Sequence, residues 1–267
     1  QRVVAQRSDQ RVGEVVAGEY VIIVGAIDVL DILDDVGARA AGILGGGAGE
    51  VHRHAGCGMV EIDGVEAGAA IDEVVAAETV DPQQIARLAA AGIVVSIGHS
   101  DSNYAAVAAA QAAGATMVTH LFNAMSQLGN REPGVVGAAL ALGGLSAGLI
   151  ADGIHVHPAS IGIALRAKHG PGRIFLVTDA MAQTGTDLKS FTLNGRTIHR
   201  ANGALRLADG TLAGADLTMI DAIAFMHRTI GLPLGEALRM ATVYPAGAMG
   251  LGHEYGHLRA GARADIA

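Results

Sequence analysis

The segment IVVSIGHS (93–100) decides the fold, because it contains the first of four apolar runs that each lead to a residue suited to metal or proton chemistry. The other runs are ATMVT (115–119), SAGLIADGI (146–154) and IFLVT (174–178), and the residues that follow the four runs are His99, His120, His155 and Asp179. Parallel strands that carry polar residues at the same end bring them to one mouth, as in (β/α)8 enzymes. The runs therefore predict a hydrolytic metal site at the mouth of a parallel barrel.

Helical patterns separate the predicted strands. Asp81 and Pro82 suit the first turn of a helix that Gly92 would close in a left-handed conformation. Further helices are predicted at about 102–113, near 135–142 and at 158–168. Strands and helices that alternate with short links indicate a parallel α/β sheet.

The pattern changes after Asp179. FTLNGRTIHR (191–200) and ALRLADGTL (204–212) alternate in polarity around Asn-Gly and Asp-Gly turns, which predicts a small antiparallel excursion. Helices are predicted at 217–231 and 234–243, and HLRAGARADIA (257–267) is expected to begin another strand pair.

The composition excludes several classes of function. The chain has 267 residues, enough for one large core, and carries 18 Lys and Arg against 26 Asp and Glu. The net charge of −8 disfavours nucleic-acid backbones and anionic membranes. Four Tyr, four Phe and no Trp leave few platforms for stacked bases. We therefore expect neither a nucleic-acid partner nor a membrane partner.

The expected location is the cytoplasm. Cys57 is the single cysteine, so no intramolecular disulfide can form, and QRVVAQRSDQR (1–11) lacks the apolar core of a secretory signal. The uncharged stretch 134–151 approaches the length of a membrane span. Gly143-Gly144 is expected to divide it into a short helix and a buried strand.

Five motifs together resemble one family. They are GHSDSNYAAVAAAQAAGA (98–115), THLFNAMSQLGNREPGVVGAAL (119–140), IADGIHV (150–156), LVTDAMAQTG (176–185) and LAGADLTMIDAI (212–223). Their order and spacing, over about residues 78–267, are similar to those of the N-acetylglucosamine-6-phosphate deacetylases of the amidohydrolase superfamily. The combination of THLFNAM with REPG, GHS upstream and TDA downstream makes the resemblance highly specific.

This resemblance implies an α/β fold: a (β/α)8 TIM-type barrel of the metal-dependent amidohydrolase kind with a small flanking β-domain, usually in a homodimer. Residues 1–50 would supply the N-terminal part of the β-domain, 51–245 the barrel, and 246–267 the start of the return to the β-domain. The implied substrate is an amino-sugar phosphate, N-acetylglucosamine 6-phosphate. Hydrolysis of its acetamide would release acetate and glucosamine 6-phosphate.

The resemblance also assigns roles at the strand ends. His99 and His120 match metal ligands, and the implied cofactor is one or two divalent ions, with Zn²⁺ favoured by imidazole donors. Asp179 matches the general base and acid that takes a proton from the attacking water and returns it to the leaving amine. From the residues alone, each histidine could instead be a hydrogen-bonded strand-end side chain, and Asp179 a helix N-cap.

Four further positions resemble substrate-binding residues. His155 and Arg131 match positions that bind the sugar or its phosphate, and the fixed fork of an arginine suits a phosphate dianion. Asn123 and Ala124 would add side-chain and backbone contacts from the same loop. The alternative for Arg131 is an ion pair with Glu132 or another carboxylate.

The N-terminal region departs from the family pattern. EVHRHAGCGMVEIDG (50–64) is similar to the first-strand region, and His52 and His54 would lie on one side of an extended strand, which is the superfamily's geometry for a metal. The HLEGPF-type motif, whose glutamate binds metal in the family, has no counterpart in this chain. Only 14 residues separate Asp63 from Glu78, which is too few for a βαβ unit of about 30 residues. Either the barrel is shortened or incomplete in this chain, or its metal site differs, with Glu61 or Glu78 as replacement ligands.

Three functions follow from these observations. The first is the metal-dependent deacetylase. The second is a catalytically impaired remnant that keeps the sugar-phosphate pocket, because the glutamate motif is missing. The third is an amidohydrolase that acts on a different amide, such as a cyclic amide, or that deaminates a base; the THLFNAM and REPG motifs disfavour it.

Overall fold

The computed structural model describes residues 21–24, 51–53, 60–62, 81–193, 195–260 and 262, the first three segments by their backbone alone. The chain divides into two compact units. Unit 1 contains the described residues up to Thr119 and residues Ala124–Leu145. Unit 2 contains His120–Asn123 and the described residues from Ser146 onward. The chain therefore changes units twice within the THLFNAM motif.

Unit 1 is built on parallel strands joined by helices. Its elements are β1 (Val21–Val24), β2 (Val51–Arg53), β3 (Val60–Ile62), α1 (Pro82–Ala90), β4 (Val94–Ile97), α2 (Tyr104–Ala112), β5 (Ala115–Val118) and α3 (Gly134–Ala141). Strand β4 pairs in parallel with β1 on one side and with β5 on the other. In this register Val94 pairs with Val21, and Ser96 pairs with Met117.

Polar N-caps and apolar contacts explain the helices of unit 1. Asp81 Oδ1 accepts a hydrogen bond from the N–H of Gln83 at 2.8 Å, and Asn103 Oδ1 accepts one from Ala106 at 2.9 Å. Such caps satisfy backbone donors that have no partner inside the helix. The buried core residues include Ile85, Leu88, Val95, Ile97, Val107 and Val118.

Unit 2 combines a parallel strand pair with an antiparallel sheet. Its elements are β6 (Ser146–Ile150), α4 (Pro158–Ala167), β7 (Ile174–Val177), β8 (Ser190–Leu193), β9 (Arg196–Ala201), β10 (Ala204–Arg206), β11 (Leu212–Ala215), α5 (Met219–Arg228), α6 (Leu234–Ala241) and α7 (Val243–Ala248). Strands β6 and β7 are parallel, with Ala147 opposite Ile174. The antiparallel sheet has the order β11-β10-β9-β8, which confirms the predicted excursion after Asp179.

The predicted alternation of strands and helices from 81 to 179 is confirmed, and the ends agree within about two residues, the usual uncertainty of element boundaries. The end of β6 bears on the site, because the apolar run continues beyond the strand. Of the apolar run 146–154, only the first five residues form β6. Asp152 therefore lies two residues after the end of β6, as His99, His120 and Asp179 do after β4, β5 and β7, whereas His155 lies five residues after it.

The uncharged stretch 134–151 is divided as predicted. Helix α3 ends at Ala141, a turn contains Gly143 and Gly144, and β6 begins at Ser146. Among the described residues, no helix combines the length and the apolar character needed to cross a membrane.

Strands β2 and β3 differ from the expectation for the first-strand region. They pair in an antiparallel manner, with His52 opposite Glu61, whereas a barrel strand would pair in parallel. The six residues 54–59 between them are too few for the crossover that parallel pairing requires.

The predictions for the two ends of the chain can be compared with the structure only in part. Strand β1 pairs in parallel with β4, although the sequence assigned residues 1–50 to the flanking β-domain; the rest of that segment lies outside the described residues. At the other end, residues 257–260 and 262 contain no strand, and the rest of the predicted strand pair lies outside the described residues.

Candidate active site

Three predicted site residues occupy the same place after a parallel strand. His99 lies two residues beyond the end of β4, His120 two beyond β5, and Asp179 two beyond β7. All three have a left-handed backbone, with φ angles of 46°, 22° and 52°. At each of these positions the chain leaves the strand through a sharp turn.

A left-handed φ has an energetic cost for histidine and aspartate. The approach of Cβ to the carbonyl oxygen destabilises this conformation by about 1–2 kcal/mol per residue. Such strain persists only where the surrounding structure imposes it, and it is concentrated at active sites and ligand-binding sites. Its occurrence at the same offset after β4, β5 and β7 marks these three positions as candidates for function.

His120 belongs to unit 2 and is held by a tight loop. The residue is 7% exposed, and its carbonyl oxygen accepts hydrogen bonds from the backbone N–H of Asn123 at 3.0 Å and from Asn123 Nδ2 at 3.2 Å. The N–H of Leu121 donates to Gly148 of β6 at 2.7 Å. These bonds fix the turn and keep His120 and Asn123 together in one short loop.

Asp179 lies on the exposed side of a loop that is anchored to the antiparallel sheet. Its carbonyl oxygen accepts a hydrogen bond from the N–H of Ala215 at 2.8 Å. Gly214 allows this close approach: a Cβ there would lie 2.8 Å from Met181 Sδ and 3.1 Å from the Asp179 carbonyl oxygen. Strand β11 therefore sets the backbone position of Asp179.

Asp152 is a candidate site residue that the sequence patterns did not single out. It lies two residues beyond the end of β6, at the offset that Asp179 has after β7. Asp152 Oδ2 lies 2.6 Å from His155 Nδ1, and both side chains are almost completely buried. The common offset is the signal that would have identified Asp152, once the end of β6 is known.

The Asp152 carboxylate is ionised more readily than an ordinary aspartate. Burial raises its pKa, but the hydrogen bonds from the His155 ring and from the N–H groups of Ile154 and His155 outweigh burial, so the pKa lies below its usual value. Oδ1 accepts from both backbone donors, each at 2.8 Å. Asp152 therefore carries a negative charge at neutral pH beside the His155 ring.

In unit 1, three serines fasten the loop after β5 to the loop after β4. The Oγ atoms of Ser100 and Ser102 lie 2.7 Å apart, and Ser126 Oγ donates to the Ser102 carbonyl oxygen at 2.6 Å. The N–H of Ser126 donates to the Ser100 carbonyl oxygen at 3.1 Å. The segment that carries Ala124 is therefore held beside the segment that carries His99.

Glu132 anchors the loop that contains Arg131. Its Oε1 accepts hydrogen bonds from the N–H of Tyr104 at 2.7 Å and of Gly134 at 3.0 Å, and these bonds lower the pKa of the carboxyl. The carboxylate thus joins the starts of α2 and α3 instead of serving only as the predicted surface partner of Arg131. Arg131 itself is exposed.

Several predicted residues lie beyond the described side chains. His52 is described by its backbone only, and His54, Cys57 and Glu78 lie outside the described residues, so their assignments stay predictions. Within 81–193, 195–260 and 262, no three His, Cys, Asp or Glu side chains are grouped closely enough to hold a metal ion. The donor types of His99, His120 and Asp179 nevertheless fit a divalent metal such as zinc.

The chain is similar in sequence to known proteins of one family. The amidohydrolase family matches residues 63–267. The chain is 44% identical over 171 residues to the N-acetylgalactosamine-6-phosphate deacetylase of Shewanella sp. (strain ANA-3), which covers 64% of this chain and 43% of that protein. It is 40% identical over 179 residues to the N-acetylglucosamine-6-phosphate deacetylase of Vibrio furnissii, which covers 67% of this chain and 44% of that protein.

A solved structure shows the same similarity. It is a substituted N-acetyl-D-glucosamine-6-phosphate deacetylase from Mycobacterium smegmatis in complex with N-acetyl-D-glucosamine-6-phosphate, with a TM-score of 0.63 and 39% identity. The match covers 68% of this chain and 49% of that one, so the chain spans about half the length of these relatives. The family match extends over more than half of the chain, and on this basis the chain belongs to the amidohydrolase family.

Proposed function

We propose that this chain carries the catalytic part of a metal-dependent deacetylase of amino-sugar 6-phosphates. The supporting observation is the set of left-handed residues His99, His120 and Asp179 at equal offsets after parallel strands, in a chain of the amidohydrolase family. Relatives that are 40% and 44% identical are named deacetylases of such sugars. The same proposal includes a (β/α)8 barrel with a flanking β-domain, which the parallel strand pairing supports.

Asp179 would move the proton in this reaction. Water adds to the amide carbonyl carbon, the C–N bond breaks, and the sugar amine leaves with a proton. Asp179 takes a proton from the attacking water and delivers it to the leaving nitrogen, so the carboxylate ends the cycle unchanged. The exposure of Asp179 supports this role, because both water and substrate must reach the base.

His99 and His120 would hold the metal. A bound divalent metal supplies a Lewis acid that polarises the amide carbonyl and acidifies water. The amidohydrolase family generally uses such a metal, and imidazole donors favour Zn²⁺. His52 and His54 remain proposed sources of further ligands, because they lie in the region that resembles the first strand of the family.

The substrate would be bound by residues from two loops. Arg131 is exposed, and the hydrogen bonds of Glu132 to the starts of α2 and α3 restrict the loop that carries it, which suits a phosphate-binding arginine. Asn123 and Ala124 would contact the sugar from the loop after β5. His155 would contact a sugar group from the loop after β6.

Either of two epimeric sugars could be the substrate. N-acetylglucosamine 6-phosphate and N-acetylgalactosamine 6-phosphate differ only in the configuration of the 4-hydroxyl. The 44% identity to the Shewanella protein favours the second sugar as an alternative, because that relative is named for it. The acetamide and the phosphate are common to both, so the proposed roles of Asp179 and Arg131 do not change.

Acetate release tests the proposal. The purified chain, supplied with Zn²⁺, is incubated with each of the two sugar phosphates and with both unphosphorylated sugars. We expect release from at least one phosphate. Binding of both phosphates without release would favour the impaired remnant, and turnover of a dihydropyrimidine instead of any amino sugar would favour a different amidohydrolase reaction.

Arg131→Ala sharpens this test. Loss of a charge-assisted contact with phosphate is expected to raise KM about tenfold or more for the phosphorylated sugar, while turnover of any unphosphorylated sugar stays unchanged. Arg166→Ala is the matched control, because Arg166 is an exposed arginine at the end of α4. Equal effects of the two substitutions would contradict the phosphate role.

The homodimer and the cytoplasmic location belong to the same proposal. The first comes from the family resemblance, and the second from the single Cys57, which leaves no intramolecular disulfide to favour an oxidising compartment. Sedimentation of the purified chain would give its oligomeric state directly.

A further inference from the structure

We infer that Asp152 is a positioning residue that fixes the His155 ring with its proton on Nδ1, so that Nε2 accepts a hydrogen bond from the substrate. This inference deepens the proposed function and rests on it for the identity of the substrate. The tautomer itself is a property of the chain alone. While the ring is neutral, this tautomer limits the groups that Nε2 of His155 can bind to those with an O–H or N–H donor.

The geometry of the Asp152–His155 pair supports this role. Oδ2 of Asp152 lies 2.6 Å from Nδ1 of His155, and the two side chains are only 6% and 4% exposed. Oδ1 accepts the backbone N–H groups of Ile154 and His155, each at 2.8 Å. One carboxylate therefore fixes both the turn 152–155 and the ring that follows it.

The charge of Asp152 decides which atom carries the proton. An ionised carboxylate accepts hydrogen bonds and has no proton to donate. An ordinary aspartate is already ionised at neutral pH, and Oδ1 accepts two backbone N–H groups, so the short contact of Oδ2 is a hydrogen bond donated by Nδ1–H. In a neutral imidazole, Nε2 then has a lone pair and accepts.

The turn between the two residues is tightly restricted. Gly153 has a φ of +74°, and a Cβ at this position would lie 3.0 Å from the Phe225 ring of α5. A side chain there would meet both strain and a steric clash. The turn that brings His155 back onto Asp152 therefore depends on packing against α5 as well as on the carboxylate.

The expected ligand group is a hydroxyl of the sugar or the N–H of its acetamide. Both are hydrogen-bond donors, and both are present in the two candidate sugars. A carbonyl or phosphate oxygen would be disfavoured at neutral His155, because two acceptors would face each other. Arg131, whose guanidinium only donates hydrogen bonds, remains the residue proposed for the phosphate.

Nitrogen NMR of the chain labelled with ¹⁵N-histidine tests the tautomer without any substrate. At a pH where the ring is neutral, the ¹⁵N shifts and the couplings to ring protons distinguish the two nitrogens. We expect a protonated Nδ1 and an unprotonated Nε2, with the signal assigned by its loss in His155→Gln. A proton on Nε2 in the parent chain would overturn the inference, whether or not the chain releases acetate.

Asp152→Asn provides a second, sharper readout. The amide oxygen must take over the two backbone hydrogen bonds of Oδ1, so the NH₂ group replaces Oδ2 and faces Nδ1. It donates to Nδ1, and the ring proton should move to Nε2. The substitution should therefore reverse the NMR pattern and raise KM about fivefold or more, with a smaller change in kcat.

Asp209→Asn is the matched control for this experiment. Asp209 also accepts a backbone N–H within a turn, from Thr211 at 2.9 Å, but it lies in the β10–β11 connection. It should leave both the His155 tautomer and KM unchanged. An unchanged tautomer in Asp152→Asn, or the same KM change in Asp209→Asn, would overturn the positioning role.

Discussion

The two ends of the β6–β7 strand pair in unit 2 both carry charged residues but arrange them differently. At the carboxyl end, Asp179 follows β7 with a left-handed backbone and is exposed, and Asp152 follows β6 as a buried partner of His155. At the amino end, Arg173 precedes β7 and lies over the ring of Tyr244 at 5.5 Å.

The amino end is a hydrogen-bonded cluster. Tyr244 donates its hydroxyl proton to Glu236 Oε1 at 2.6 Å, and Arg239 donates to Glu236 Oε2 at 2.9 and 2.7 Å. The backbone N–H of Arg173 donates to Ser146 Oγ at 3.2 Å. These bonds tie α6 to α7 and join the starts of β6 and β7.

The contrast indicates that the chain uses charged groups for chemistry at the carboxyl end and for stability at the amino end. The strained and exposed carboxylate of Asp179 suits proton transfer, and the paired groups at the strand starts suit packing, as in barrels whose carboxyl face is catalytic. Substitutions at the carboxyl end should therefore reduce turnover and spare stability. Substitutions at the amino end should do the reverse.

Asp179→Asn should show the largest effect. Removal of the base is expected to lower kcat by about 10² to 10⁴-fold, because asparagine cannot accept the proton of water. Steady-state acetate release measures the change, while metal content and the melting temperature should stay near those of the parent. Retained turnover would refute the assignment, and a large fall in the melting temperature would break the proposed separation of the two ends.

Gly214→Ala tests the support of Asp179 from strand β11. The new methyl group would meet Met181 Sδ at 2.8 Å and the Asp179 carbonyl oxygen at 3.1 Å, so the loop must shift. Displacement of the base is expected to lower kcat about tenfold, because small errors in position are costly for catalysis. Stability should also fall, by about 1–3 kcal/mol, as in other overpacked sites.

Gly210→Ala is the control for this loop. Gly210 also has a positive φ, of 90°, and lies in the connection between β10 and β11, but a Cβ there meets no atom within 4 Å. It should lower stability by about 1 kcal/mol through backbone strain and leave kcat unchanged. Equal kcat values for both variants would show that Gly214 does not position Asp179.

The sequence predicts the strands of this site better than its loops. The apolar runs locate β4 to β7, and Gly92 adopts the predicted left-handed conformation with a φ of 80°. Glycine signals such a backbone because it lacks Cβ. His99 and Asp179 adopt a similar conformation against their intrinsic preference, so their residue types carry no equivalent signal.

The roles of Asp152 and Glu132 depend on side-chain contacts that no sequence pattern reveals. Asp152 directly follows the strand predicted at 146–151, but its contact with the His155 ring depends on the turn 152–155, which the apolar pattern does not predict. Glu132 binds the N–H of Tyr104, which is 28 residues earlier in the chain. Such a contact requires the two loops to fold beside each other, and no local pattern predicts it.

Glu236→Gln should give the smallest effect, and it completes the comparison at the amino end. Burial raises the pKa of Glu236, but the hydrogen bonds from Tyr244 and Arg239 outweigh burial, so the pKa lies below its ordinary value of 4.5. A carboxyl with a lowered folded-state pKa stabilises the fold above the unfolded-state pKa, and this contribution is lost as pH falls through the folded-state pKa. At pH 7 the substitution should cost about 1 kcal/mol, or about 2–4 °C in melting temperature.

The pH dependence decides whether this loss comes from the charge of Glu236. Thermal unfolding from pH 7 down to pH values below 4.5 should show the parent and Glu236→Gln converging, because a protonated glutamate is nearly isosteric with glutamine. Glu254→Gln, at an exposed pair with His253, should match the parent at every pH. If the difference in melting temperature between the parent and Glu236→Gln stays constant on acidification, packing around Tyr244, rather than the ionised carboxylate, stabilises the amino end. Unchanged acetate release by Glu236→Gln at pH 7 would support the assignment of catalysis to the carboxyl end alone. A large loss of acetate release would mean that the two ends are coupled.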